Sequence, residues 1–158
     1  MSATGPGGRG ALSSVRAAAV PMLAGAGVLL GTWALLPRYL GPALELGPRG
    51  DQLEFVDHTV PGSIVIVLSL AALLVVRLPK AAPLLFGMGL VVVLAGLWMD
   101  ATHLPLVLQA LRDQAPWPAT LHHSLPGLVV LLFGIAWCLV FRTDPDEPVA
   151  GPDVSGQD

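Results

Sequence analysis

The chain has four histidines, His58, His103, His122 and His123, and all of them stand at the ends of its apolar runs or between them. Carboxylates accompany two of them. Asp57 directly precedes His58, and Asp100 lies three residues before His103, a spacing that puts both side chains on one face if a helix continues through them. Imidazole and carboxylate donors suit a divalent ion such as Zn²⁺ or Cu²⁺, and an imidazole also hydrogen-bonds a quinone headgroup. The candidate ligand set is therefore His58, His123, His103, His122, Asp100 and Asp57, with a divalent metal, a quinone or a haem as the cofactor it would serve. The competing reading makes them interfacial anchors and caps, because polar residues are ordinary where an apolar segment meets water. None of these spacings is that of HExxH, and no Ser/His/Asp set stands out. Cys138, the single cysteine, excludes an intrachain disulfide or a CxxC pair and reads as a small core residue.

The elements that must position these side chains follow from composition. Of 158 residues, 54% are hydrophobic and 12% charged, about half the roughly 25% charge of a soluble domain. Mean hydropathy is +0.72. A net charge of −3 with only 8 Lys and Arg leaves no footprint for a phosphate backbone, so nucleic acid is excluded as a partner. Four stretches without an ionisable residue, Ala17–Leu36, Thr59–Val76, Ala81–Met99 and Ser124–Phe141, run 18 to 20 residues each. About 20 apolar residues cross a bilayer as a helix. The fold class is thus all-α, a polytopic membrane protein with four transmembrane helices, placed in the cell's inner or plasma membrane with the lipid bilayer as its first partner. The first stretch is longer than a signal-peptide core and runs out into Leu35-Leu36-Pro37-Arg38, without small-residue cleavage character, so it reads as a retained helix.

Arg9, Arg16, Arg77, Lys80 and Arg142 fall on one side of these spans, and Arg38, Arg49 and Arg112 on the other. The excess favours both termini inside, which puts all four histidines outside. Residues 1–16 and 143–158, the latter acidic, read as disordered cytoplasmic tails around a membrane domain at 17–142. Leu104–Leu111 is apolar but too short to cross, and is expected as a separate interfacial helix. Thr59 and Ser124 are expected to be N-caps, with Pro61 and Pro126 in the first turns of their helices. Gly25, Gly27, Gly31, Gly87, Gly89 and Gly96 would allow close helix approach. Trp33, Trp98 and Trp117 read as an aromatic belt, and the deeper Trp137 as packing.

Displacing the sequence by 65 residues superposes Gly31 on Gly96, Trp33 on Trp98, His58 on His123, Pro61 on Pro126, Gly62 on Gly127 and Arg77 on Arg142. His-Thr-Val-Pro-Gly and His-Ser-Leu-Pro-Gly carry most of this signal. Each unit, 17–77 and 82–142, is two crossings long, so the two repeats run parallel about an axis along the membrane normal. Gly31-Thr32-Trp33-Ala34-Leu35-Leu36-Pro37, followed by a polar loop and a second apolar helix, resembles the SPW-repeat membrane unit of bacteria, over roughly residues 20 to 141. The resemblance implies tandem two-helix units and no defined activity. In the second unit Trp98-Met99-Asp100 replaces the expected proline turn.

Equivalence in the repeat puts His58 and His123 at one depth, either facing each other at the mouth of the bundle or turned away from it. Three functions are consistent with the pattern. The first is a non-enzymatic accessory or structural subunit of a membrane complex. The second is an outer-face His/Asp site for a divalent metal or redox cofactor. The third, a small transporter, is disfavoured by spans whose only internal hydroxyls are Thr32, Ser63 and Ser69.

Overall fold

The computed structural model describes residues 14–40 (side chains through 36), 55–78 and 81–142. Residues 1–13 and 143–158 of the expected tails, most of the first long loop, and Pro79 and Lys80 lie outside these residues; Ser14–Arg16, expected in the disordered N-terminal tail, are instead the first turn of α1. Four helices make the fold: α1 (Ser14–Leu40), α2 (Val60–Val75), α3 (Ala81–Leu111) and α4 (Trp117–Phe141), with a five-residue π-helical turn, Phe55–Thr59, leading into α2. Each is long and apolar enough to cross a membrane, α2 when counted with its π-helical turn. Successive helices alternate in direction. α3 packs most extensively on α4 and α1 on α2, and the two pairs meet through α2 with α3 and α1 with α4.

The interior has two apolar layers. Val65, Val92, Ala95 and Val130 form the middle one. Val20, Ala72, Ala81, Leu85, Trp137 and Phe141 fill the end where α1 begins and α4 finishes. Trp137 is fully buried and donates its indole N–H to the Leu85 carbonyl at 2.8 Å, joining α4 to α3. Leu29, Val67, Leu74, Leu94, Leu132 and Leu139 point outward and are more than half exposed. Such a surface suits hydrocarbon rather than water.

Glycines set how closely the helices approach. A Cβ on Gly31 would meet the Gly62 carbonyl oxygen at 2.7 Å, one on Gly134 the Val93 nitrogen at 2.6 Å, and one on Gly96 the backbone of Leu131. Gly27 and Gly89 are similarly covered, by Ser69 and by Trp137 with Cys138. Gly25 and Gly87, expected to take part, face open space, whereas Gly62, Gly127 and Gly134 belong to the set instead.

Three helix boundaries differ from the sequence reading, for one reason. α1 runs on through Pro37 to Leu40 instead of ending at Leu36. Leu104–Leu111 is not a separate element; it is the last part of α3, which passes through Pro105. Ser124 is not an N-cap, because α4 begins at Trp117 and carries Pro126 in its interior. A proline in a helix removes one backbone hydrogen bond, but ending the helix in an apolar medium would expose a whole turn of unsatisfied groups. Continuing through the proline is the smaller loss. The Ser124 hydroxyl instead donates back to the Thr120 carbonyl. Thr59 does stand at the start of α2, with Pro61 in its first turn, but its backbone is already helical and its side chain makes no capping bond, because the π-helical turn precedes it. The stop signal for α3 is Asp113, at φ 56°. Its N–H bonds the Ala110 carbonyl at 3.1 Å, and the Gln114 N–H reaches Gln109 at 2.9 Å, closing the helix so that the chain reverses into α4.

Candidate functional site

Three elements bring one histidine each to the same place. The π-helical turn supplies His58, α3 supplies His103 and α4 supplies His123. His58 and His103 are fully buried and His123 nearly so, at 4% exposed. Their ring centroids are 4.8 Å apart for His58–His103, 5.8 Å for His58–His123 and 6.2 Å for His103–His123. Of the two arrangements open to His58 and His123, the structure has the facing one. A proline follows each histidine closely, Pro61, Pro105 and Pro126 in turn.

Helix geometry and hydrogen bonding together fix the tautomers. In α3, Nδ1 of His103 lies 2.6 Å from the Met99 carbonyl oxygen, four residues back; a carbonyl only accepts, so this nitrogen carries the proton. The Thr102 hydroxyl donates to the same carbonyl at 2.9 Å and stands 3.2 Å from the ring. In a neutral His103 the other nitrogen, Nε2, is then the acceptor. It lies 3.1 Å from Nε2 of His58, which accordingly donates. His123 repeats the α3 arrangement, its Nδ1–H donating to the Ala119 carbonyl at 3.1 Å, so its Nε2 is likewise the unprotonated nitrogen of a neutral ring.

The other three candidates fall around this trio. His122 is partly buried and packs edge-on against His123, centroids 5.6 Å apart. Asp57, beside His58 on the π-helical turn, is 5% exposed. Asp100 is half-buried; its carboxylate rests over Gly127, where a Cβ would meet Oδ1 at 2.5 Å, and it lines a groove of about 300 Å³ with Leu104, Trp117, Thr120 and Ser124. Among the described residues, no group of three or more His, Cys, Asp or Glu side chains could hold a metal ion. What exists is a buried, hydrogen-bonded imidazole pair with a third imidazole alongside.

The approach of His103 to a facing His58 and His123 follows from the sequence, but its direct bond to His58, and the turning of Asp100 toward Gly127, do not. His58 and His103 are 45 residues apart in sequence, and only the continuation of α3 past Met99 carries His103 to the level of the π-helical turn. No family model matches the chain, and no curated protein or solved structure is similar to it.

Proposed function

We propose that this chain is a small multi-pass integral membrane protein of the cell membrane, with both termini inside, that serves a membrane complex as a non-enzymatic accessory subunit and acts through its histidine cluster. One observation carries the reading. Among the described residues, the buried titratable side chains are Asp57, His58, His103 and His123, all at one end of the bundle. Burying such groups in an apolar setting is expensive, so their gathering marks a working part rather than a by-product of packing. Below them the interior is apolar, with Ser69 as the one buried polar side chain at that depth among the described residues. A buried polar centre with an apolar interior beneath it has no polar path leading on through the bundle. This gives the transporter reading less support. The 3.1 Å approach of His58 to His103 leaves no slot for a haem between them.

A duplicated architecture belongs to the same proposal. Gly31 packs on Ile66 and Gly96 on Leu131; Gly62 packs on Leu35 and Gly127 on Asp100. Within both sets the residues correspond at a separation of 65. This shared register supports two parallel repeats of one ancestral helix pair, as the resemblance to SPW-repeat units would entail.

Two experiments test the reading. A reporter active only outside should signal when fused after Arg112 and stay silent after Arg142; the reverse would put the histidines in the cytoplasm. Affinity isolation in mild detergent should return a stoichiometric membrane partner that is lost with His103→Leu. A partnerless monomer, or a partner indifferent to that change, would refute the accessory role.

A further inference from the structure

Resting on the reading that the chain serves a membrane complex, we propose that the groove between α3 and α4 at Asp100 seats a transmembrane helix of the partner, one that carries a single lysine or arginine among apolar turns.

The polar atoms of the groove give the first argument. Asp100, Thr120 and Ser124 line it. The Thr120 hydroxyl donates to the Pro116 carbonyl at 3.1 Å, and the Ser124 hydroxyl donates to the Thr120 carbonyl. Their protons are committed within α4, so toward the groove both oxygens can only accept. Among the described residues the Asp100 carboxylate has no hydrogen-bond or ion-pair partner of its own, and when ionised it too only accepts. Three acceptors, one of them anionic, are matched by a cation with several N–H groups, as an ammonium or a guanidinium offers.

Packing does not require this charge. The residue 65 positions before Asp100 is Leu35. It rests on Gly62 as Asp100 rests on Gly127: a Cβ on Gly62 would meet Leu35 Cδ2 at 3.0 Å, and one on Gly127 would meet Asp100 Oδ1 at 2.5 Å. In the α1–α2 pair an apolar side chain thus fills the place that a carboxylate takes in the α3–α4 pair. A half-buried carboxylate is the costlier occupant of such a place, so something beyond packing accounts for it.

The walls select the kind of ligand. Leu104, Val107, Trp117 and Leu121 flank Asp100 on the side of the α3–α4 turn, and the exposed Leu128 and Leu132 flank it on the other. The acid is an isolated charge in an apolar strip about three turns long. A phospholipid carries its charges at one end, with water beyond them, and does not fit that pattern. A helix with one basic residue between apolar turns does. The groove's volume of about 300 Å³ admits side chains and not a helix backbone, so the partner lies along the two helices and inserts its basic residue. A second copy is a poor match: α2, α3 and α4 contain no Lys or Arg, and α1 has them only near its ends, at Arg16 and Arg38.

The test reconstitutes the full chain, labelled with a donor fluorophore, into phosphatidylcholine vesicles. Acceptor-labelled synthetic Leu/Ala helices of about 20 residues are added, with one Lys placed to meet Asp100 or with Leu in its stead. Energy transfer should show the Lys helix bound at least about tenfold more tightly than the Leu helix. Asp100→Asn and Asp100→Leu should reduce this preference to within about twofold, and Asp100→Leu should leave the unfolding midpoint unchanged or raised, as Leu35 on Gly62 implies. Asp100→Lys should reverse the preference in favour of a helix carrying Glu. Equal binding of the Lys and Leu helices, or a preference that survives Asp100→Asn, would overturn the proposal. So would self-association of the full chain that Asp100→Asn abolishes, since a second copy would then occupy the groove. Affinity isolation separates the two failures. A stoichiometric partner retained by Asp100→Asn and Asp100→Leu refutes the groove alone, whereas a wild-type chain without any partner refutes the reading beneath it.

Discussion

The two ends of the bundle are built on different principles. At the end where α1 begins, Trp137, Phe141, Leu85 and Val20 are held mainly by shape, with the Trp137 indole on Leu85 and the Cys138 thiol on Phe86 as directional bonds. At the other end direction counts for more: His58 and His103 share a hydrogen bond, and His103 and His123 each donate to a carbonyl of their own helix. An apolar layer tolerates a swap of similar size, whereas a hydrogen-bonded cluster tolerates only a swap that keeps donors and acceptors matched. The shape-held end keeps the protein folded. The direction-held end is the one to which the proposed function assigns recognition.

That contrast can be attacked first where the effect is largest. Trp137→Ala removes the biggest buried side chain of the apolar end and its bond to Leu85, and should cost about 3–5 kcal/mol in a reversible detergent unfolding experiment. A loss below about 1 kcal/mol would mean this end is not the structural anchor. Gly96→Ala forces a methyl into the Leu131 backbone and should cost about 1–3 kcal/mol, whereas Gly87→Ala, facing open space, should stay within about 0.5 kcal/mol. Equal effects from the two would break the helix register described for α3 and α4.

At the histidine end, His103→Leu nearly preserves volume but strands the donor of His58, and should cost about 1–3 kcal/mol. The double change His58→Leu with His103→Leu should recover much of that loss, since neither donor nor acceptor is then left buried. A double variant worse than the single one would show that shape governs this end as well. The smallest effect is expected at Ser124→Ala. Were Ser124 an N-cap, the change would cost about 0.5–2 kcal/mol; in mid-helix, bonded back to Thr120, it should lie within about 0.5 kcal/mol.

The same contrast shows what the sequence could disclose. Four charge-free runs are enough to give four helices, because no other backbone arrangement of that length satisfies its hydrogen bonds in hydrocarbon. The shared His-Thr-Val-Pro-Gly and His-Ser-Leu-Pro-Gly pattern is enough to put His58 and His123 at one level. Helix ends were less legible. Ser124 before Pro126, and Pro105 after His103, carry the marks of a helix start in water, yet both helices run through. Asp100 shows a subtler limit: a three-residue spacing from His103 gives a shared face, but which neighbour that face meets depends on Gly127, on another helix, leaving space for the carboxylate. Likewise, small size alone does not separate Gly89, pressed against Trp137 and Cys138, from Gly87, which faces nothing.

The convergence of three imidazoles from three elements is the claim on which the rest depends, and it can be read directly from the wild-type chain. Protein labelled with ¹⁵N at histidine and reconstituted into bilayers should show a correlation between two imidazole Nε2 nuclei across an N–H···N hydrogen bond, assigned to His58 and His103 by its disappearance in His103→Gln. A weaker proximity signal should connect this pair to His123. Four imidazoles that exchange freely with water and show no nitrogen–nitrogen correlation would contradict the buried cluster and the function built on it.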